Sequence, residues 1–561
     1  MKASKEDHIT LLINKMHFQI LYRNFSEESR KKEEKNMKIK KIISTIFIGL
    51  ALSFLTAQAE KLVILHTNDT HSQIDPDING AGGVLQRKAV IDSIRKAEKN
   101  VLLVDAGDIV QGSLYFKFFK GDVEYPLMNM MKYDIRILGN HEFDNGIDDI
   151  AKYYKDVKGT PLSANYDFSG TVLDGIFSPY VIKKVKGKKI GFFGLNVDPA
   201  SLIDIKNVGG LKFKEIIPVA NATADYLKNK EHCDLVVAVT HIGAVKENEK
   251  TTDYELARAS KDIDIIIGGH SHTMITPGET GKYPSIVGNA EGKPVLVAQT
   301  GKYGRFLGYI KIDLDNLKKT DARSFDYELI PITDRFTADQ LDKNIIKFLE
   351  PYREAVDSVN RRVIARSLHN LPNGMKTGGL ANLTADIAYD YGRHKADSLH
   401  KADGNFPQLD FALMNVGGIR KDMPQGDITE GQILDTYPFS NHLVIAEISG
   451  KDLLDALGIA ARKGGESVSS QILVVMDPDK NLQKVLLNGY EIDPQGKYVY
   501  ATIDYLLGGN DDLVPLANSR LLWRDDEEIS APILNYIERM GTAGIPVNPD
   551  SRERFIICEP F

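Results

Sequence analysis

Five apolar segments of the chain each end in side chains that can bind a metal ion. In chain order these side chains are Asp69, His71, Asp108, Asn140, His141, Asp144, His241, His270 and His272. A single Asp or His after a strand is usually a turn or capping residue. Five such segments in succession are hard to explain by turn formation alone. Imidazole suits Zn, Ni or Fe, whereas carboxylate and amide oxygens suit Mn and Mg. The pattern therefore predicts a site for divalent metal ions.

The apolar segments themselves are typical of buried strands. KLVIL, VLLVD, IRIL, DLVVAV and DIDIIIG lack the polar alternation of a strand with one wet face, so helices should cover both faces of their sheet. The intervening sequences VLQRKAVIDSIRKAEKN and IPVANATADYLKNK have helical spacing. In α/β sheets, ligands bind beyond the carboxyl ends of the strands. The expected fold class is α/β, with all the metal-binding side chains at the same sheet edge.

The spacing of these residues is compatible with two metal ions. Asp69 and His71 lie two residues apart, so both side chains can point to one side of an extended strand end. Asp108 could bridge two metals with its two oxygens, and Asn140 offers a neutral oxygen. Two metals about 3.5–4 Å apart would clamp a phosphate and acidify a water for in-line attack. Phosphoryl transfer to water is the chemistry that this pattern favours.

The order D-x-H, G-D, G-N-H-E, H and G-H-x-H resembles the calcineurin-like metallophosphoesterases. The resemblance implies a four-layer αββα sandwich that binds two divalent metal ions, Zn, Mn or similar. It implies that the first metal is bound by Asp69, His71, Asp108 and His272. It implies that the second is bound by Asp108, Asn140, His241 and His270.

His141 and Asp144 are candidates for the catalytic residues. Asp144 follows His141 by three residues and can reach the imidazole if the segment turns into a helix. A carboxylate in that position fixes the tautomer and favours the protonated ring. His141 would then stabilise developing charge or protonate the leaving oxygen, and the resemblance implies the same role. Glu142 is predicted to anchor the loop through hydrogen bonds.

A linker helix is predicted over residues 337–360, TADQLDKNIIKFLEPYREAVDSVN. Thr337 and Gln340 form a capping-box signature, and apolar residues then recur at helical spacing. Pro351 is expected to kink the helix. A surface helix of either domain would show the same spacing. The family resemblance implies instead that this helix joins two domains, a metallophosphoesterase domain at 60–336 and a second domain at 361–561.

The second domain contains three loop sequences suited to binding a ligand. They are NVGGIR at 415–420, YPFSN at 437–441 and DYLLGGND at 504–511. Glycine pairs let the backbone approach a ligand closely, an arginine suits a phosphate or carboxylate, and aromatic rings can stack on a base. Each sequence alone is also compatible with an ordinary turn or with packing.

Together these loops resemble the C-terminal α+β domain of the 5′-nucleotidase family, which includes bacterial periplasmic UDP-sugar hydrolases and animal ecto-5′-nucleotidases. The resemblance covers nearly all of residues 60–561. It implies that Phe439 and Tyr505 sandwich the base and that Asp511 binds the ribose. It also implies substrate contacts for Asn415 and Arg420, with Asn441 a further candidate.

The sequence departs from the family pattern in this domain. The family carries an arginine before a Glu-Ser-x-Leu-Gly-Asn-Leu stretch, whereas this chain reads GMKTGGLANLTAD, with Lys376 the nearby cation. Lysine is a point charge and lacks the planar fork of arginine. Tyr505 replaces the commoner phenylalanine, and GGND replaces Gly-Gly-Asp. The preferred base and ester are therefore left open.

The N-terminal sequence predicts export. From Met37 the chain reads MKIKKIISTIFIGLALSFLTAQAE, in which lysines, a short apolar run and Ala57-Gln58-Ala59 form the pattern of a signal peptide. The predicted signal peptide is 37–59, with cleavage before Glu60 and a periplasmic or secreted product. Residues 1–36 are interpreted as a mis-assigned upstream extension. The apolar run is short for a membrane span, so no stable membrane anchor is predicted.

The composition limits the kinds of molecule that the protein is expected to bind. The net charge of −7 argues against a nucleic-acid polymer, which selects basic surfaces. Two cysteines, Cys233 and Cys558, exclude a disulfide framework, and both are predicted to be small buried hydrophobes. The expected function is an exported phosphohydrolase acting on a small nucleotide, with nucleoside 5′-monophosphates favoured.

Three alternative functions remain open. The first is a 2′,3′-cyclic nucleotide phosphodiesterase or a UDP-sugar or dinucleotide pyrophosphatase. The second is hydrolysis of sulfur or phosphate esters that carry no nucleotide. The third is a nucleotide-binding protein without turnover, which the intact set of predicted metal ligands and the His141–Asp144 pair disfavour.

Overall fold

The computed structural model describes residues 60–558, except residues 78, 247–250, 279 and 318–320. The interpretation of residues 1–36 and the signal peptide at 37–59 concern residues outside these ranges. Among the described residues, no helix has both the length and the apolar character needed to cross a membrane. The chain from Lys61 onward forms one compact unit.

The first half of this unit contains two mixed sheets. Its strands are β1 (Lys61–Thr67), β2 (Val101–Asp105), β3 (Ile135–Ile137), β4 (Thr160–Leu162), β5 (Tyr166–Asp167), β6 (Tyr180–Val185), β7 (Lys188–Asn196), β8 (Lys212–Phe213), β9 (Leu235–His241), β10 (Ile265–Ile267), β11 (Ile286–Gly288), β12 (Pro294–Ala298), β13 (Phe306–Asp313) and β14 (Asp326–Pro331). The first sheet has the order β14-β13-β1-β2-β3-β4, and the second β11-β12-β10-β9-β7-β6. Strands β1 to β4 run parallel, as do β7, β9, β10 and β12.

Helices cover the outer face of each sheet. They are α1 (Val84–Ala97), α2 (Leu114–Phe119), α3 (Glu124–Met131), α4 (Ile147–Tyr154), α5 (Ile205–Val208), α6 (Ile216–Asp225) and α7 (Asp253–Ala259). Alternate residues of strand β1 point to opposite faces of the first sheet. Leu62 and Ile64 of β1 pack between the sheets, and Val63 and Leu65 pack against helices. The result is the expected four-layer αββα sandwich.

Helix α8 (Lys343–Asn360) follows and packs on this sandwich through Ile345, Leu349 and Val356. It begins later than predicted. Thr337 and Gln340 cap a separate 3₁₀ turn (Ala338–Gln340), and the Asp342 side chain accepts the backbone N–H groups of Asn344 and Ile345 in the first turn of α8. The predicted capping box is therefore present but belongs to a shorter element. Pro351 lies inside the helix, and the expected kink there stays a prediction.

The second half has its own core. Its strands are β15 (Val363–Ser367), β16 (Phe411–Met414), β17 (Gly426–Thr429), β18 (His442–Ser449), β19 (Ser467–Val468), β20 (Ile472–Met476), β21 (Leu482–Leu487), β22 (Tyr490–Glu491), β23 (Lys497–Ile503), β24 (Arg520–Glu528) and β25 (Phe555–Ile557). Its helices are α9 (Gly379–Asp403), α10 (Glu430–Thr436), α11 (Gly450–Arg462), α12 (Asp504–Leu507) and α13 (Ser530–Thr542). The central sheet has the order β19-β16-β23-β18-β24. Helix α9 packs on it through Ala385 and Ala388, against Phe411 and Tyr500. The predicted two-domain α/β architecture is confirmed.

The two cysteines differ in environment. Cys233 is buried, as predicted, among the residues between the second sheet and its helices. The same prediction for Cys558 is wrong, because Cys558 is exposed just beyond the last strand, β25.

Candidate functional site

The five apolar segments that precede the predicted ligands are all strands, but they do not share one sheet. Strands β1, β2 and β3 lie in the first sheet, and β9 and β10 lie in the second. The expectation that all the metal-binding side chains lie at the edge of one sheet is therefore wrong. The carboxyl ends of both sets of parallel strands meet, so the predicted ligands converge from two sheets.

The first group of donor atoms comes from Asp69, His71 and His272. Their donor atoms all lie within 4.8 Å of one another. The Nε2 atoms of His71 and His272 are 2.9 Å apart, and Nε2 of His272 is 3.6 Å from Oδ1 of Asp69. These three side chains can therefore contact a single ion.

The second group contains Asp108, Asn140, His241 and His270. The Asp108 carboxylate lies 3.2 Å from Nε2 of His241 and 3.9 Å from Nε2 of His71 in the first group. The Asn140 amide oxygen is 3.2 Å from His241 Nε2 and 2.8 Å from His270 Nδ1. Asp108 thus lies between the two groups, where a bridging ligand would be.

The loops that present these side chains have an unusual backbone. Asp69, His71, Asp108, His270 and His272 all have positive φ, between 45° and 78°. This left-handed region is sparsely used by residues other than glycine and recurs at functional sites. Close packing adds a second restriction, since a Cβ at Gly139 would lie 2.1 Å from Oδ1 of Asp108. The glycine before Asn140 is required by this approach.

Neighbouring polar groups fix the orientation of the predicted ligands. Asn68 donates to Asp69 Oδ2 at 2.6 Å. His241 Nδ1 is 2.7 Å from the carbonyl of Ala106, which leaves its Nε2 free to bind a metal. The Glu142 carboxylate accepts the backbone N–H groups of Asp108, Ile109 and Gly139. Glu142 therefore anchors the loop in the way the sequence predicted.

Burial and the charges of neighbouring side chains shift the pKa values of the predicted ligands. Burial raises the pKa of Asp69 to about 6. Burial also acts to raise the pKa of Asp108, but His241 and His141 outweigh it and hold that pKa well below the usual range. Burial lowers the pKa of both His71 and His272, which favours the neutral imidazole, the form that binds metals.

The donor set fits divalent metal ions. Carboxylate oxygens, an amide oxygen and imidazole nitrogens are the ligand types of Zn and Mn sites. Imidazole nitrogens held 2.9 Å apart, with carboxylates within 4 Å, are compatible with a cation that replaces their protons. The residues present therefore fit divalent metal ions, with Asp108 between the two groups of donor atoms.

His141 lies beside these groups and is oriented by Asp144. Its Nδ1 is 3.1 Å from Oδ2 of Asp144, in a 3₁₀ turn over His141–Phe143. Burial lowers the pKa of the His141 imidazole, but the Asp144 and Asp108 carboxylates outweigh burial and raise it. The His141 ring also lies within 4.8 Å of donor atoms of His71 and Asp108. The geometry therefore allows both a proton donor and an additional ligand at this position.

A cavity of about 490 Å³ opens beside the two groups of candidate metal ligands and extends into the second half of the chain. Its walls include Asp108, Asn140, His141, Asp144, His270 and His272 from the first half. They also include all six residues predicted to bind substrate, Asn415, Arg420, Phe439, Asn441, Tyr505 and Asp511. The volume is in the range of small-ligand sites. Residues predicted separately to hold metal and to hold substrate thus line one space.

Two sequence comparisons match the two halves of this site. The calcineurin-like phosphoesterase model matches residues 62–274, and the model of the 5′-nucleotidase C-terminal domain matches residues 359–518. The chain belongs to the 5′-nucleotidase family. It is therefore a metal-dependent phosphoesterase.

Named relatives agree with this family. The rat 5′-nucleotidase is 28% identical over 546 residues, which cover 88% of this chain and 91% of that protein. The trifunctional nucleotide phosphoesterase YfkN of Bacillus subtilis is 28% identical over 453 residues, 73% of this chain. The chain spans only 28% of the length of YfkN. The crystal structure of a 5′-nucleotidase precursor from Thermus thermophilus matches with a TM-score of 0.74 and 26% identity, and covers 89% of this chain and all of that one.

The residues predicted to bind substrate contact one another in the cavity wall. The Phe439 ring stacks on the His141 ring with centroids 5.9 Å apart, and the Arg420 guanidinium lies 5.7 Å from the Phe439 centroid. The Tyr505 hydroxyl donates to Asp511 Oδ1 at 2.9 Å, and Asn415 donates to Asp511 Oδ2 at 2.8 Å. Lys376 is exposed and is not among the residues that line the cavity.

Sequence reasoning missed Gln111. Its side chain lines the cavity, is 1% exposed, and neither its amide oxygen nor its nitrogen has a hydrogen-bond partner within the described chain. The residue also has a φ of 67°. The available signal was its place in the loop DAGDIVQG, three residues after Asp108. A buried, unpaired amide facing a cavity is suited to a ligand or an ordered water.

Proposed function

We propose that this protein releases phosphate from nucleoside 5′-monophosphates outside the cytoplasm, using two divalent metal ions. The supporting observation is a cavity lined both by four of the predicted metal ligands, Asp108, Asn140, His270 and His272, and by the loops of the second domain. A phosphatase without nucleoside selectivity would need only the first set. The proposal assigns the second set to the base and ribose.

Asp69, His71, Asp108 and His272 would hold one metal, and Asp108, Asn140, His241 and His270 the other. Bound metals would polarise the phosphate and lower the pKa of a water molecule. The protein residues fix the ligand positions through Asn68, Glu142 and the Ala106 carbonyl.

His141 would donate a hydrogen bond or a proton to a phosphate oxygen as charge develops. Asp144 would keep Nδ1 of the ring protonated and direct Nε2 toward the cavity. Arg420 lines the same cavity and offers a planar fork for a phosphate or carboxylate.

The nucleoside would lie against Phe439 and Tyr505. Both rings are half-buried in the cavity wall, so they can cover a base without rearranging the core. Asp511, which accepts hydrogen bonds from Tyr505 and Asn415, would accept from the ribose hydroxyls.

A substrate panel tests this function. Purified protein with added Mn²⁺ or Zn²⁺ should release phosphate from AMP or UMP faster than from an aryl phosphate at equal concentration. Preference for cyclic nucleotides, UDP-glucose or a dinucleotide would establish the phosphodiesterase or pyrophosphatase alternative. Equal rates on all monoesters would reduce the function to that of a general phosphoesterase, and binding without turnover would overturn the enzymatic proposal.

A further inference from the structure

Helix α2 (Leu114–Phe119) connects the metal-binding loop to the loop that carries Phe439. At its amino end, Ser113 Oγ donates to the carbonyl of Ser72 at 2.8 Å, and Ser72 directly follows the predicted ligand His71. Lys117 extends from the other end of the helix toward the second domain. One short helix thus contacts both parts of the active site.

The Lys117 side chain is only 8% exposed, and its contacts lie in the second domain. Its Nζ is 2.9 Å from Oε2 of Glu528, 3.2 Å from Oγ of Ser530 and 3.5 Å from the carbonyl of Pro438. An ammonium group has three donors. Each has an acceptor here, although the Pro438 contact is long.

Lys117 and Lys120 together contact the residues on both sides of Phe439. Pro438 precedes Phe439 and accepts from Lys117, and Ser440 follows it and accepts from Lys120 at 3.0 Å. Glu528 lies at the end of β24, paired with His442 of β18, just beyond the same loop. The position of the Phe439 ring, which stacks on His141, therefore depends on contacts made by the first domain.

The ion pair is costly to break from one side. Burial lowers the pKa of Lys117, although Glu528 acts to raise it. Lys117 in turn holds the pKa of the more exposed Glu528 below its usual range, against the effect of burial. Removal of Glu528 alone would leave the buried Lys117 ammonium without its charged partner, which is unfavourable.

We propose that Lys117 is a positioning residue for nucleoside recognition, acting from the catalytic domain through Glu528 and Pro438 on the loop that carries Phe439. Lys117 is not among the residues that line the cavity, so its effect on substrate is indirect. The inference rests on the proposed function insofar as Phe439 contacts the base. The conformational order of the loop that carries Phe439 can be measured without any substrate.

Steady-state kinetics of Lys117→Met tests the kinetic part. The methionine keeps the apolar stem and removes the ammonium group. We expect KM for AMP to rise about tenfold, the size of a typical coupling between contacting residues. Turnover at saturating AMP and hydrolysis of an aryl phosphate should change little, and Lys117→Arg should restore most of the lost affinity. Lys152→Met, which removes an exposed ion pair with Asp122, is the matched control and should behave as wild type.

Hydrogen exchange of the peptide covering residues 437–444 tests the structural part. Lys117→Met and Glu528→Gln should both speed exchange of this peptide, while peptides from β1 and β2 keep wild-type protection. Unchanged exchange together with unchanged KM in Lys117→Met overturns the proposal. Failure of wild type to prefer AMP over the aryl phosphate would instead refute the proposed function, and the exchange result would still decide whether Lys117 orders the loop.

Discussion

At the scale of single residues, the backbone of the metal site is as restricted as its side chains. Five of the seven proposed ligands adopt positive φ. Such conformations persist only where the surroundings over-determine them. Here the surroundings include Asn68 beside Asp69 and Glu142 beneath Asp108. Conservative replacement of these supporting residues should therefore disturb metal binding without removing a ligand.

Asp108 tests the proposed bridge between the two metals. Asp108→Ala removes the carboxylate that approaches both His71 and His241, so we expect loss of metal and of nearly all activity. Elemental analysis of the purified variant measures the metal content. Asp455→Ala, which removes an exposed carboxylate of α11, should retain both metals. Full occupancy of two metals in Asp108→Ala would refute the bridging role.

Substitution of His141 tests whether this residue is a metal ligand or a proton donor. His141→Ala should lower turnover by about 10²–10⁴-fold while metal content is preserved, since general acid catalysis contributes that range. Asp144→Asn should show a smaller loss, because the ring remains but loses its charged partner. If His141→Ala loses metal, His141 is a ligand, as its proximity to His71 and Asp108 also allows.

At the scale of elements, the convergence of the candidate metal ligands could be predicted from the sequence, because residues of metal-binding type follow the strands directly. Asp69, Asp108 and His241 each follow an apolar run, and the carboxyl ends of parallel strands are where ligands gather. The division of these strands between two sheets could not be read from the same runs. Strand pairing is non-local, and an apolar run looks the same in either sheet.

Features that depend on tertiary contacts were also missed. The true start of α8 is at Lys343, because Asp342 caps it, although Thr337 and Gln340 supply a valid capping signature upstream. Nothing around Lys117 in the sequence indicates a partner more than four hundred residues away. Cys558 was expected to be buried from residue type alone, and residue type does not determine exposure at a chain end.

The aromatic residues in the loops of the second domain lead to a prediction about selectivity for nucleotides. Stacking on an aromatic ring contributes about 1–3 kcal/mol per base. Phe439→Ala or Tyr505→Ala should therefore lower kcat/KM for AMP by about tenfold to a hundredfold. Hydrolysis of a small aryl phosphate should change much less. Equal losses on both substrates would show that the rings are structural, and no loss on either would place the base elsewhere.

At the scale of the whole molecule, metal binding should stabilise the sandwich, because the ligands come from both of its sheets. A ligand that binds only the folded state adds about 2.7 kcal/mol per site at a hundred times its Kd. A chelator should therefore lower the Tm measured by calorimetry. Asp108→Ala should respond much less to the same chelator. An equal Tm with and without metal in wild type would contradict the proposed sites.

Export is a second prediction for the whole chain. A chain expressed from Met37 in a bacterial host should be found outside the cytoplasm with Glu60 as its first residue, because the sequence before Glu60 has the pattern of a signal peptide. Mass spectrometry of the purified product measures this end. If the full chain from Met1 is expressed instead, residues 1–36 on its exported product would contradict the interpretation of that segment.

The contrast between the two cysteines gives the molecule a single attachment point for a reporter. Cys558 is exposed, and burial raises the pKa of Cys233, which slows its reaction with electrophiles. A maleimide fluorophore should therefore label native protein once, next to β25. The backbone N–H of Cys558 donates to Met476 at 2.9 Å, so the dye would be tethered to an ordered strand of the second domain. Its anisotropy or energy transfer would follow that domain during turnover without any engineered thiol.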